Sequence, residues 1–153
     1  MLITISHLIR ADHEEVEGLI HEAFHGIGKE LVEVQVVATR SPHRFTGKAW
    51  AEPPARRPRA DDTRWLVELV MPARPTQNGY PLEWRYPHLK TAPVFLANDW
   101  RDQLFAVAAH EAYHVKQFRM GMRRSEVAAE RWAHKALERS RALATTRPHR
   151  QRP

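Results

Sequence analysis

The pentapeptide His110-Glu111-Ala112-Tyr113-His114 directly follows the apolar run Leu104-Phe105-Ala106-Val107-Ala108-Ala109, and this juxtaposition constrains the fold more than any other stretch. The apolar run predicts a helix that packs inside the molecule. On a helix, a spacing of four places His110 and His114 one turn apart on one face, where both imidazoles can reach a single zinc ion. Glu111 sits beside them, placed to activate a water molecule at the metal. On a helical wheel the apolar stripe is formed by Trp100, Leu104, Val107, Val115 and Phe118, with Glu111 near its middle and the two histidines on one flank. A carboxylate in the middle of an apolar face is costly to bury unless something compensates its charge. A metal site supplies that compensation; two hydrogen-bonded core histidines with Glu111 in a buried salt bridge are the alternative.

The same pattern occurs a second time, at His21-Glu22-Ala23-Phe24-His25. There the wheel gathers Val16, Leu19, Ile20, Ala23, Phe24 and Ile27 into one stripe and puts His21 and His25 opposite its centre. Those histidines are expected to face water on an ordinary amphipathic helix, which Gly26 and Gly28 terminate.

With no cysteine among 153 residues, thiolate zinc sites, disulfides and cysteine nucleophiles are excluded, so protein metal ligands must come from His, Asp or Glu. A chain of this length with 42% apolar residues can bury one core, and a single domain over residues 1–145 is expected, with a basic flexible tail at 146–153. No leader and no apolar stretch of about 18 residues is evident, so a cytoplasmic protein without membrane contact is expected. The formal charge of +6 comes almost wholly from 19 arginines against 5 lysines, spread along the chain. It accompanies no nucleic-acid motif and reads as a solvated surface. The two local clusters, Arg56-Arg57-Pro58-Arg59 and the tail from Arg147, read as flexible segments.

Along the chain, Met1 to His7 reads as a first strand and Asp12 as the cap of a helix reaching about His25. Leu31 to Thr39, rich in β-branched residues, is the clearest strand, and Trp65 to Met71, ended by Pro72, is a second. Residues 40–62, with prolines at 42, 53, 54 and 58, read as a long loop that cannot join a central strand. Leu82 to Tyr86 and Pro93 to Ala97 are short extended pieces. Asn98 or Asp99 caps a helix from Trp100 to about Met120, Gly121 ends it, and Ser125 caps a last helix reaching about Leu143.

A catalytic zinc usually has three protein ligands, and the last helix offers Glu126 and Glu130 on the face shared with Ala129, Ala133 and Leu137. Here the chain resembles the gluzincin metallopeptidases, in particular the small minigluzincins, whose His-Glu-x-x-His helix is followed by a glutamate helix carrying Glu-x-x-x-Asp. The matching residues are His110, Glu111 and His114, then Glu126, with Ala129-Glu130 in place of an Ala-Asp pair. The resemblance is specific over residues 98 to about 140. Two departures stand out: the aspartate is a glutamate, and only 11 residues separate His114 from Glu126.

The resemblance implies an α+β, minimal zincin-like domain: a small twisted sheet with a backing helix, an active-site helix and a glutamate helix. It implies Zn²⁺ on His110, His114 and Glu126, with Glu130 holding a histidine by its other ring nitrogen or exchanging roles with Glu126. His134, one turn beyond Glu130, is a more remote ligand candidate. Glu111 is then the general base in hydrolysis of a peptide or protein substrate, while Tyr113 points away from the histidines. The resemblance further implies a substrate bound as an added strand along a sheet edge, near Leu82 to Tyr86 or Pro93 to Ala97, where Trp84, Tyr86 and Phe95 would form pockets. A non-catalytic metal-binding or DNA-associated module, supported only by the basic tail, is the alternative function.

Overall fold

The computed structural model describes residues 1–27, 32–51, 63–85 and 90–146. It is an α+β fold of two sheets and three helices. The strands are β1 (Leu2–Ile5), β2 (Val32–Thr39), β3 (Thr46–Trp50), β4 (Trp65–Pro72), β5 (Leu82–Trp84) and β6 (Phe95–Ala97). The helices are α1 (His13–Ala23), α2 (Trp100–Arg119) and α3 (Glu126–Thr146). The main sheet has the order β1-β2-β4-β3, with β1, β2 and β4 mutually parallel and β3 antiparallel on the edge beside β4.

The two central strands, β2 and β4, are the longest at eight residues each and carry the most buried positions, as pairing on both sides demands. Their register sets Val32 opposite Trp65, Val34 opposite Val67 and Val36 opposite Leu69. All six side chains are buried and belong to one core with α1 and α2. Asp12 caps α1 by accepting from the Glu14 and Glu15 backbone N–H groups, and Asp99 caps α2 in the same way through Arg101 and Asp102.

Helix α2 contacts α1, α3, β3, β4 and β6, so it is covered nearly all round. This explains why its buried set is wider than the single stripe read from the wheel, taking in Ala106, Ala108, Ala109 and Ala112 as well as Leu104 and Val115. The small alanines allow neighbouring elements to approach the helix axis closely. Gly121 then adopts φ 62°, a left-handed conformation in which a Cβ is strained, and the chain turns back into α3.

Two expectations need correcting. Residues 46–50, read as part of a loop, form β3; prolines 42 and 53 flank the strand, and an edge position needs pairing on one side only. Residues 82–84 and 95–97 do not form an edge of the main sheet: they pair with each other as a separate antiparallel sheet, Trp84 opposite Phe95. The last helix also continues beyond Leu143 to Thr146. Leu31, Gly28, Tyr86, the arginine cluster at 56–59 and the tail beyond Thr146 lie outside the described residues. No helix among the described residues is long and apolar enough to cross a membrane.

Candidate metal centre

His110 and His114 project from the middle of α2 toward the first turn of α3. The short turn between the helices, made feasible by Gly121, brings Glu126 over both rings. One ligand atom from each of His110, His114 and Glu126 can be chosen so that all lie within 4.8 Å of one another. The inner triangle is tighter still. The two Nε2 atoms are 3.0 Å apart, and Glu126 Oε2 lies 3.1 Å from His110 Nε2 and 3.3 Å from His114 Nε2. A tetrahedral ion with ligand bonds of about 2.0–2.1 Å requires ligand atoms separated by about 3.3 Å, so these edges fit a zinc-sized cation.

The outer nitrogens are held as a metal site requires. Nδ1 of His110 lies 2.9 Å from Oε1 of Glu130, and Nδ1 of His114 lies 2.8 Å from Oε1 of Gln117. With each Nδ1–H donating outward, two Nε2 lone pairs face each other across 3.0 Å inside the protein. His110 is 8% exposed and His114 fully buried, so water cannot separate them. A cation at that point, proton or metal, removes the repulsion.

The charges reflect this crowding. For His110, burial pulls the pKa down, but the Glu130 hydrogen bond and the charges of Glu111, Glu130 and Glu126 outweigh it and raise it above the ordinary value. His114 is lowered, by burial first and also by neighbouring His110 and Arg124, against the opposing Gln117 hydrogen bond. Burial pushes Glu126 up, yet His114, Arg124 and His110 together hold it below the usual carboxylate range. One arginine contact is direct, Arg124 Nε to Glu126 Oε1 at 2.8 Å.

Glu111 lies on the other side of the histidines, against the edge strand. Burial, the largest cause, raises its carboxyl from its ordinary 4.5 to about 7, opposed by His110, Arg124 and a hydrogen bond from the Ala49 backbone. Its Oε2 is buried with no hydrogen-bond partner among the described residues. The strand can come this close only because residue 47 is glycine: a Cβ there would meet Glu111 Cγ at 2.5 Å. Around these groups opens a cleft of about 270 Å³, walled by Phe45, Gly47, Trp84, Phe95, Val107 and Arg124 among others. Trp84 stacks on Phe95 with centroids 4.8 Å apart and both line the cleft; Tyr86, the third aromatic expected there, lies outside the described residues.

The other candidates fall elsewhere. Helix α1 ends at Ala23, so His21 and His25 share no continuous helical face; His21 pairs with Glu17 and His25 is exposed. His134 packs edge-on against Phe95, and Tyr113 lies against Trp132 outside the cleft. Two contributors went unread in the sequence. Gly47 sat in the supposed loop, where a glycine between Thr46 and Lys48 in an alternating stretch is the signal of close backbone approach. Gln117 is a polar residue three positions after His114 on an inward face, a spacing that brings side chains together on a helix.

Glu126 and Glu130 thus occupy different positions, one at Nε2 and the other at Nδ1. Replacing Glu126 by Ala should remove tight binding of a divalent metal, whereas Glu130→Ala should weaken it about 10- to 100-fold. Competition against a chelator of known affinity measures both, and equal losses would refute the division of roles. Comparison of the chain with family models, with curated proteins and with solved structures found no match.

Proposed function

We propose that the domain is a zinc-dependent peptidase of the gluzincin type, with a minimal zincin-like architecture. The observation that carries this reading is the unpartnered, buried Oε2 of Glu111 beside the three converging ligand atoms of His110, His114 and Glu126. Two imidazoles and one carboxylate are a donor set of catalytic zinc, and three protein ligands leave a position open. Bound Zn²⁺ supplies Lewis acidity, making water more acidic and polarising a carbonyl oxygen.

The residues of the chain do the remainder. Glu111 takes the proton of the attacking water and returns it to the leaving amine. Burial raises the Glu111 carboxyl to about 7 in the metal-free protein, and a cation bound beside it would favour the ionised form that accepts the proton. Ala49 holds one carboxylate oxygen through its backbone N–H and leaves the other for the proton. Glu130 and Gln117 hold the imidazoles, and Arg124 keeps Glu126 ionised.

A peptide is the substrate class that suits this cleft. Phe45, Thr46 and Gly47, at and just before the start of β3, line it, so an extended chain can lie along the side of this strand that is not paired with β4. The wall of Trp84, Phe95 and Val107 offers apolar surface to a side chain. On this reading the substrate lies along β3, and Trp84 and Phe95, from the segments first expected to bind it, contribute to the cleft wall.

The test is hydrolysis of a diverse peptide mixture, read by mass spectrometry. Zinc-loaded protein should generate new termini, a strong chelator should stop this, and added zinc should restore it. Intact peptides after exposure to protein with one equivalent of bound zinc would overturn the peptidase reading and leave the metal centre standing.

A further inference from the structure

The side-chain amide of Gln117 has one partner on the metal-facing side and two in the turn joining α2 to α3. Its Oε1 accepts from His114 Nδ1 at 2.8 Å and from the Ser125 backbone N–H at 3.4 Å. Its Nε2 donates to the Arg123 carbonyl at 3.2 Å. The residue is 1% exposed, so water does not substitute for any of these partners.

The two backbone partners have fixed polarity: the Arg123 carbonyl can only accept and the Ser125 N–H can only donate. A flipped amide would set NH₂ against N–H and oxygen against oxygen, leaving buried groups unsatisfied at both ends. The turn therefore dictates which way the amide points. With oxygen facing His114, the ring must carry its proton on Nδ1, and its Nε2 lone pair is directed at His110 and Glu126. The same turn carries Glu126, whose helix begins at the residue after Ser125.

We propose that Gln117 is a positioning residue of the metal centre: through one amide it reads the polarity of the α2–α3 turn, sets the tautomer of His114 and holds the turn that delivers Glu126. This rests on the metal reading of His110, His114 and Glu126, and it is independent of whether a peptide is cleaved. It also explains how an 11-residue connection between His114 and Glu126 is sufficient. The turn is pinned to the ligand-bearing helix by a side chain three residues from the ligand.

Zinc affinity measured by chelator competition on the full chain, with helix content followed by circular dichroism, tests the proposal. Gln117→Met keeps the volume and removes every hydrogen bond; it should weaken zinc by about 10- to 100-fold. Gln117→Glu keeps an acceptor for both His114 and Ser125 and, protonated on the oxygen facing the Arg123 carbonyl, keeps that donor as well; it should bind zinc within about threefold of wild type. That rescue separates tautomer control from packing, because an amide needed only to fill space would be replaced equally well by Met. Wild-type affinity in folded Gln117→Met, or an affinity in Gln117→Glu reduced tenfold or more, overturns the proposal. Should Gln117→Met fail to fold, Gln117→Glu decides alone by the same thresholds. A wild type that binds no zinc overturns the metal centre itself, and is seen before any variant is made.

Discussion

Glu111→Gln should abolish hydrolysis to within about 10²- to 10⁴-fold below wild type, retain zinc, and at the same time make the metal-free protein more stable above neutral pH. The first two effects follow from the proposed role of Glu111 as the base and from its position outside the three converging ligands. The third follows from linkage. The folded protein keeps the Glu111 proton up to about pH 7, while the unfolded chain releases it near 4.5. Between those values the folded state binds more protons, so this group's contribution to stability falls as pH rises from 4.5 to 7. Above 7 the cost is fully expressed, about 3 kcal/mol. Glutamine carries no charge to bury and still offers Ala49 an oxygen. Thermal unfolding of metal-free Glu111→Gln should therefore exceed wild type by roughly 6–12 °C at pH ~8 and match it near pH ~4. A gain independent of pH would show that Glu111 is ionised in the fold at no cost, and undiminished turnover would remove it from the mechanism.

Burying the Glu111 carboxyl at such a cost depends on an element that local sequence barely announces. β3 contains Gly47 and Lys48, both poor strand formers, and its existence is decided by pairing with β4, more than fifteen residues away. No short-range pattern reports that register. The strongly patterned elements were legible: β2 from its β-branched run, β4 from its apolar residues stopped by Pro72, α1 and α2 from their apolar spacing and the caps Asp12 and Asp99. Within the candidate site, His110, Glu111 and His114 could be read because four-residue spacing is a local property of one helix. Glu126 and Glu130 could be named from their shared face but not assigned, since both lie one turn apart on α3. Which of them meets Nε2 and which Nδ1 depends on how α3 crosses α2, a tertiary fact. The amide of Gln117 was hidden for the same reason: its backbone partners exist only once the turn has formed.

The protonation of the histidines yields the second large effect, on zinc-dependent stability. The folded pKa of His110 is raised, so in the metal-free protein its proton contributes stability that is fully present below the unfolded value of 6.5 and lost as pH rises through the folded one. His114 is lowered and stays neutral, so a single proton occupies the region between the two Nε2 atoms 3.0 Å apart. Zinc must displace that proton. Its affinity should therefore rise with pH and level off above the folded pKa of His110. At free zinc about 1,000-fold above the dissociation constant, binding stabilises the fold by about 4 kcal/mol. For a domain of this size that raises the melting temperature by roughly 8–16 °C at pH ~8. At the same zinc concentration and pH ~5.5 the rise should be a small fraction of this, because the proton on His110 already cancels the facing lone pairs. In His114→Ala the zinc-dependent rise should vanish at both pH values, while His21→Ala, whose side chain pairs with Glu17 on α1 and is not among the three converging ligands, should leave it unchanged. A zinc-induced rise of equal size at both pH values would mean that the metal does not compete with the His110 proton and binds elsewhere on the chain.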